Sequence, residues 1–488
     1  MEKNIYGIKP KRISFSDEEI AALFGHEAAE DERPERLREY YFKNEIYEQI
    51  ISDLPLKIVV GHKGIGKSAL FKVAQQEFDE KNIITISLTP DDIIELSESA
   101  SSMLELIRVW KLGLTNIIVE KVIEKFGVNK GDKNNYIGNI ISIIQKVIEG
   151  KIENSFEKER NSLINSFIKN KRIVIFIDDL DRGWEGKKND ITRISAMLNA
   201  VRDLSRENPS INFKISLRTD VYYLYRTNDE STDKVESSVV WLTWNNFGIL
   251  ALLTKRIVTY FGGNVNENEL LRLRQYDLAK ILDYVFEPRF EGKGNWSEIP
   301  IYRLLTSLIR KRPRDLIKLC TLAAREARKN KKDKIGTEEF NNVFETYSHG
   351  RLQDTIIEFR SELPEIERLL TNMKPTKFQK TAGEAFKFKT SDLLNKVRNI
   401  ETRGKFTFSN GKIADTKDLC AFMYKINFLT ARKDTNNGIV RKYFEENNFL
   451  MSRFADFGFD WEIHPAYRWA LQPDNALDVL TSLPLYKE

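Results

Sequence analysis

The sequence predicts an α/β core with a parallel sheet, followed by a helical domain and a C-terminal domain of helices and a β-hairpin. Two short apolar runs, at 56–60 and 173–177, are rich in β-branched residues and are each followed by a helical pattern, and 211–217 and 239–244 supply further strands. Such alternation is typical of a parallel sheet with helices on both faces. The 488 residues, 41% of them hydrophobic, are enough for roughly two to four domains.

A glycine-rich loop follows the first predicted strand. Residues 61–68 read G-H-K-G-I-G-K-S, which is the G-x-x-x-x-G-K-S pattern of a phosphate-binding loop, or P-loop. Its backbone N–H groups and the start of the next helix favour phosphate. Lys67 can reach the β- and γ-phosphates, and the Ser68 hydroxyl can bind Mg²⁺. The predicted nucleotide-binding residues are Gly61, His62, Lys63, Gly64, Ile65, Gly66, Lys67 and Ser68.

Adjacent acids follow the second apolar run. A strand at 173–177 would carry Asp178 and Asp179 at its carboxyl end, where parallel sheets place functional groups. Two ionised carboxylates there repel each other unless a cation lies between them. We expect Asp178 to hold Mg²⁺ through water and Asp179 to orient and deprotonate the attacking water. Asp181 is either a further catalytic acid or a turn carboxylate.

Residues 129–132, N-K-G-D, match the N-K-x-D pattern that selects guanine in GTPases. In those proteins the pattern follows the acidic strand, whereas here it precedes that strand and lies between two helical stretches. We interpret it as a solvated turn and predict ATP as the nucleotide.

Two arginines are candidates for sensing the γ-phosphate. Arg218 ends the strand predicted beside the acidic one, and Arg314 opens a helix in the basic sequence of residues 310–316, R-K-R-P-R-D-L. A guanidinium binds phosphate through two hydrogen bonds. For Arg218 the alternative is an ion pair with Asp220. Basic side chains at a helix start are unfavourable unless an anion, from ATP or DNA, compensates them.

The order of patterns predicts four regions. Residues 1–35 form a charged N-terminal arm, and residues 36–245 form the P-loop core, with a helical insertion at 91–170. A helical lid domain covers 246–375 and a winged-helix-like domain covers 376–488. Within these regions we expect one helix at 37–51 and others at 190–204, 391–400 and 416–426, with further strands at 82–88, 239–244 and 457–463.

Together these motifs resemble the STAND and KAP branch of AAA+-related P-loop ATPases. Residues 177–182, I-D-D-L-D-R, resemble the KAP-type Walker B motif, and residues 216–218, S-L-R, resemble the STAND sensor motif. Residues 311–316 are similar to the start of a lid helix that carries a second sensor arginine. The resemblance covers 36–350 and implies ATP-dependent switching, homo-oligomerisation and, in bacteria, association with anti-phage defence. Asp179 replaces the glutamate usual in AAA+ enzymes, and the membrane-spanning insertion of many KAP proteins is missing.

Two classes of function follow from the resemblance and the composition. The first is a switch that oligomerises and controls a separate effector protein. The second is a DNA-handling ATPase whose hairpin residues Arg432, Lys433, Arg441 and Lys442 would contact phosphates, although the net charge of only +5 gives no strong electrostatic support.

The sequence also predicts a cytoplasmic location. The chain begins with polar residues, has no apolar stretch as long as a membrane span, and contains two cysteines far apart. The four histidines are scattered without the spacing of metal ligands.

Overall fold

The computed structural model describes residues 6–81, 83–93, 102–125, 172–180, 182, 187–208, 211–228, 233–292, 296–375, 385–435, 438–446, 458–472 and 479. The chain forms two compact units. The core unit consists of residues 45–62 and 67–242. The helical unit consists of residues 1–44, 63–66 and 243–488.

The core unit contains a parallel five-stranded sheet, which confirms the predicted fold class. Its strands are β1 (Leu56–Gly61), β2 (Ile84–Leu88), β3 (Ile173–Ile177), β4 (Ile211–Arg218) and β5 (Val239–Trp241), in the order β2-β3-β4-β1-β5. Because β4 lies between β1 and β3, the carboxyl ends of these three strands share one edge. The helices are Glu45–Ile51, Lys67–Glu80, Pro90–Ile93, Met103–Lys125, Lys188–Glu207, Thr219–Asn228 and Asp233–Glu236.

The helical unit begins with N-terminal helices and continues after residue 243. A short antiparallel ribbon, β6 (Arg289–Phe290) with β7 (Ile299–Pro300), interrupts the helices. The helices up to residue 371 are Asp17–Phe24, Pro34–Tyr40, Asn246–Tyr260, Glu267–Arg272, Gln275–Leu282, Ile301–Leu308, Pro313–Lys329, Thr337–Phe359 and Ile366–Thr371. The helical character predicted after residue 246 is therefore present.

The C-terminal residues form two helices and a four-stranded antiparallel sheet. The helices Thr390–Glu401 and Thr416–Lys425 precede a hairpin of β9 (Leu429–Thr435) and β10 (Gly438–Lys442), as predicted. Two further strands, β8 (Lys387–Phe388) and β11 (Asp460–Ile463), extend the sheet in the order β10-β9-β11-β8. The short helix Arg468–Leu471 follows.

The predicted charged N-terminal arm contains the helix Asp17–Phe24, and one prediction that follows it is wrong. The helix Asp17–Phe24 is capped by Ser16, whose hydroxyl accepts a hydrogen bond from the Glu19 N–H, and it buries Ile20, Leu23 and Phe24. The helix expected at 37–51 is broken after Tyr40. Tyr41 has an extended backbone, and its carbonyl accepts a hydrogen bond from Lys255 Nζ (2.6 Å).

Some of the predicted features lie in residues that the structure does not describe. The N-K-G-D turn, Asp181 and residues 126–170 of the predicted insertion lie outside the described residues. Within the described part of the chain, no helix is long and apolar enough to cross a membrane.

Candidate functional site

The glycine-rich loop joins β1 to the helix Lys67–Glu80, in the strand-loop-helix setting that a P-loop requires. β1 is a central strand, paired with β4 on one side and β5 on the other. Lys67 is the first residue of the helix, and its Nζ donates to the carbonyls of Gly61 (2.8 Å) and His62 (3.3 Å). The lysine therefore folds back over the loop into which a phosphate would bind.

Two glycines of the loop adopt backbone conformations that side chains disfavour. Gly64 has φ +78° and Gly66 has φ +108°. A Cβ on Gly66 would meet nothing within 4 Å, so the backbone on that side faces open space. A Cβ on Gly64 would lie 2.9 Å from Cβ of Arg314. The backbone at Gly66 is therefore open on the side where a side chain would lie, whereas at Gly64 Arg314 occupies that side.

The acids after β3 lie at the same edge of the sheet as the end of β1. Asp178 is half-buried and Asp179 is exposed. One oxygen of the Asp178 carboxylate accepts hydrogen bonds from the Ser216 hydroxyl and from the Asp179 N–H (2.9 Å). Asp179 has φ +60°, so the chain turns sharply there and the Asp179 carbonyl accepts from the Arg182 N–H at 2.9 Å. This turn directs the two neighbouring carboxylates to different surroundings.

Ser216 is a site residue that the sequence reasoning passed over in favour of Arg218. Polar residues alternate along β4, at Asn212, Lys214, Ser216 and Arg218. Successive side chains of a strand point to opposite faces, so these four share one face of a buried strand. That alternation, unusual in a strand covered on both faces, was the signal that could have identified Ser216.

Arg218 pairs with Gly61, the first glycine of the loop, in the register of β4 with β1. Its guanidinium forms two hydrogen bonds to the Asp220 carboxylate, at 2.9 and 2.5 Å. The alternative that the sequence left open, an ion pair with Asp220, is therefore present. The arginine still lies on the strand next to both the P-loop strand and the acidic strand.

In the helical unit, the helix Pro313–Lys329 begins beside P-loop residues. The N–H of Arg314 donates to the Gly64 carbonyl (3.3 Å), and the Arg314 side chain donates to the Glu27 carbonyl at 3.2 Å. Arg314 is therefore adjacent to the loop through its backbone, and the residue is half-buried.

The other basic residues at this helix start have partners within the protein. Arg310 forms a buried ion pair with Asp315 (2.7 Å), Lys311 with Glu446 (2.6 Å) and Arg312 with Glu358 (3.5 Å). The positive charge of Arg310 and Arg351 holds the pKa of the Asp315 carboxyl well below its usual range, against the opposing effect of burial. The carboxylates of these three partners compensate the positive charges, for which the sequence suggested phosphate of ATP or DNA.

A family model matches part of the chain. The family model described as the FunZ-associated C-terminal helical domain matches residues 265–356. The matched segment runs from the residue before the N-cap of Glu267–Arg272 into the helix Thr337–Phe359, and it includes Arg310, Arg312 and Arg314.

A curated relative and several solved structures are similar over most of the chain. The putative transposon gamma-delta 80.3 kDa protein of Escherichia coli (strain K12) is 20% identical, with 93% of this chain and 69% of the relative covered. The Aeropyrum pernix ORC2 protein in ADPNP-ADP complexes is 12% identical, with a TM-score of 0.38 and coverage of 92% and 94%.

The Aeropyrum pernix ORC1 protein in complex with DNA is 10% identical, with a TM-score of 0.36 and coverage of 94% and 98%. Cdc6p from Pyrobaculum aerophilum is 11% identical, with a TM-score of 0.30 and coverage of 91% and 96%. At this level of similarity, the nucleotides and the DNA named with these structures are properties of those proteins alone.

Proposed function

We propose that this protein binds and hydrolyses ATP with Mg²⁺ and uses the reaction as a molecular switch. One observation carries the proposal: the P-loop, with Gly64 and Gly66 in left-handed conformations, follows a central strand whose end shares a sheet edge with Asp178 and Asp179. A phosphate cradle and adjacent carboxylates at one edge are the parts that phosphoryl transfer needs.

Each residue has a distinct role in this proposal. Lys67 exchanges its contacts with the Gly61 and His62 carbonyls for phosphate oxygens. Ser68 and Asp178 would hold Mg²⁺, which neutralises charge on the β- and γ-phosphates when bound. Asp179 accepts the proton of the attacking water. Arg218 and Arg314 contact the γ-phosphate, for which Arg218 has to give up Asp220.

The output of the switch is proposed from the resemblance to STAND and KAP ATPases. In that view the ATP-bound protein forms a homo-oligomer in the cytoplasm and regulates a separate effector protein in bacterial anti-phage defence. The physical requirement is an interaction that differs between ATP and ADP, and an arginine bound to the γ-phosphate provides one.

The nucleic-acid alternative receives little support from the C-terminal hairpin. Arg432 and Arg441 both bind the buried Glu462 carboxylate, so two of the four hairpin cations are already neutralised. In the helix Thr416–Lys425, Lys425 forms an ion pair with Glu362 (2.7 Å). Of the other described lysines on this helix and hairpin, Lys417 and Lys433 are exposed and Lys442 is half-buried. On these two elements, so small a number of exposed cations would make only a weak, salt-sensitive contact with DNA.

The central experiment compares Lys67→Ala with Lys81→Ala by calorimetric titration of ATP in the presence of Mg²⁺. Both variants lose one positive charge in the core unit, but Lys81 is an exposed residue just beyond the end of the P-loop helix. We expect Lys67→Ala to weaken ATP binding at least about a hundredfold, a loss of about 2.7 kcal/mol, and Lys81→Ala to bind as the wild type does. Equal affinity in a folded Lys67→Ala variant would refute the proposal.

A further inference from the structure

Three consecutive P-loop carbonyls accept hydrogen bonds from distant residues of the helical unit. The Lys63 carbonyl accepts from Arg312 Nη1 (3.3 Å), the Gly64 carbonyl from the Arg314 N–H (3.3 Å) and the Ile65 carbonyl from Trp244 Nε1 (2.9 Å). The donors lie between 179 and 250 residues away in the sequence. A loop that only connected a strand to a helix would have no need of them.

A fourth contact fixes the same stretch from its N–H side. The Lys63 N–H donates to Oε1 of Glu358 (3.2 Å), and Glu358 is the ion-pair partner of Arg312. The side chains of Arg312 and Glu358 are only 1% and 3% exposed. One buried ion pair therefore holds both the N–H and the carbonyl of the Lys63 residue.

Local structure explains why these groups are available. Arg312 is the N-cap residue of the helix Pro313–Lys329, and Arg314 lies in its first turn, where helix N–H groups have no partner within the helix. Trp244 directly precedes Asn245, the N-cap of the helix Asn246–Tyr260, whose side chain accepts from the Gly248 N–H at 2.7 Å. The indole packs over that first turn, 3.2 Å from where a Gly248 Cβ would lie.

We propose that Trp244, Arg312 and Glu358 are positioning residues for the nucleotide site, and we call them the P-loop brace. A backbone N–H and the carbonyls flanking it point in largely opposite directions in an anion-binding nest. By holding the carbonyls of residues 63–65, the brace keeps the N–H groups of the loop turned towards the phosphates. A loop fixed in its binding conformation loses less entropy when the ligand arrives.

This inference rests on the proposed ATP binding and adds the residues that hold the loop at 63–65 in its binding conformation. Trp244→Phe keeps an aromatic ring but removes the donor to Ile65. Trp469→Phe is the matched control, because Trp469 is a buried tryptophan of the helical unit whose Nε1 has no hydrogen-bond partner among the described residues. A second brace variant, Arg312→Met combined with Glu358→Met, replaces the buried ion pair by apolar side chains, a change that proteins often tolerate.

The first measurement is independent of nucleotide. Amide hydrogen exchange of a peptide covering the P-loop should become about fivefold faster in Trp244→Phe and in the double variant, as expected for loss of one ordinary hydrogen bond. Trp469→Phe should leave that peptide at the wild-type rate.

The second measurement is the ATP-induced shift in the melting temperature, which follows the dissociation constant even when a variant is less stable overall. Both brace variants should bind ATP about fivefold to tenfold more weakly, and Trp469→Phe should match the wild type. If the wild type binds ATP and the brace variants bind it equally well, the inference is overturned while the proposed function stands. If the wild type binds no ATP, both are overturned.

Discussion

At the residue scale, functional residues that lie close together in the sequence were predictable, whereas contacts between residues that only folding brings together were not. The eight residues of the P-loop could be named because their spacing alone specifies a phosphate cradle. The alternation of polar residues along β4 marks Ser216, but its role comes from a hydrogen bond to Asp178, 38 residues earlier at the end of the neighbouring strand, which the sequence does not show. From the sequence, Arg218 was a stronger candidate than Ser216 because a guanidinium can bind phosphate, yet in the structure Arg218 forms an ion pair with Asp220.

Ser216→Ala should slow ATP hydrolysis about tenfold, which corresponds to ~1.4 kcal/mol, near the lower limit for a hydrogen bond to a charged group. ATP affinity should stay nearly unchanged, since the serine contacts the acid rather than the P-loop. The measurement is steady-state phosphate release together with a binding titration. Ser205→Ala is the control, because the buried Ser205 hydroxyl donates to the Arg202 carbonyl of its own helix. An unchanged turnover rate in Ser216→Ala would show that Asp178 does not need this contact.

The two acids should behave differently when changed one at a time. Asp179→Asn keeps the shape of the side chain but removes the base, so ATP should still bind while single-turnover hydrolysis slows by a hundredfold or more. Asp178→Ala should instead raise the Mg²⁺ concentration required for activity. If Asp179→Asn hydrolyses ATP at the wild-type rate, another residue acts as the base, and Asp181 is the first candidate to test.

At the scale of single elements, strand β4 shows how polar residues can be buried in a central strand. Each of its four alternating polar side chains has a partner. Asn212 binds Asp53 (3.1 Å), and Lys214 Nζ donates to the carbonyls of Ser52 (2.8 Å) and Leu54 (3.3 Å). Periodicity identified β4 as a strand, but the partners of Asn212 and Lys214 come from a loop about 160 residues away, which periodicity cannot show.

Lys214 should make the stability of the protein depend on pH. Burial lowers the pKa of its ammonium group from 10.5 to about 7. Between these values the unfolded chain binds more protons than the folded one, so the free energy of unfolding should rise with pH across this interval, by on the order of a few kcal/mol. Burial also lowers the pKa of Lys396, to about 8, so denaturant unfolding at several pH values in the interval should show a smaller rise in Lys214→Met than in the wild type and in Lys81→Met. An equally large rise in Lys214→Met would assign the effect to other groups.

Strand β11 carries a buried glutamate, Glu462, that forms ion pairs with three arginines. Glu462 binds Arg432 (3.1 Å), Arg441 and Arg468 (2.9 Å), and its positive neighbours hold the pKa of its carboxyl well below the usual range despite burial. Glu462→Gln would leave these cations without their shared negative charge, so unfolding free energy should fall by about 3–5 kcal/mol.

The control for Glu462→Gln is Glu367→Gln, which breaks the exposed ion pair with Arg360 and should cost less than about 1 kcal/mol. Both are measured by denaturant unfolding. A small loss in Glu462→Gln would mean that water reaches the arginines and that the carboxylate is not their main partner.

At the scale of the whole molecule, the sequence indicated the sheet, the helical region and the C-terminal hairpin, because each is built from short-range patterns. It did not indicate that Lys63–Gly66 would belong to the same compact unit as residues 243–488. The contacts responsible join residues as far apart as Lys63 and Glu358, 295 positions in the sequence. Hydrogen bonds between residues so far apart produce no periodic pattern in the sequence, so only the folded structure shows them.

The largest-scale prediction is that ATP changes the assembly state of the protein. If Arg314 binds the γ-phosphate, the helix that it opens is held differently with ATP and with ADP, and that difference can stabilise a surface for a second copy. Multi-angle light scattering should therefore show a larger particle with a non-hydrolysable ATP analogue than with ADP or without nucleotide. Lys67→Ala should keep the smaller size in all three conditions, since it lacks the phosphate contact that starts the change. A wild-type protein that stays monomeric in all three conditions and binds DNA tightly at physiological salt would instead favour the nucleic-acid function.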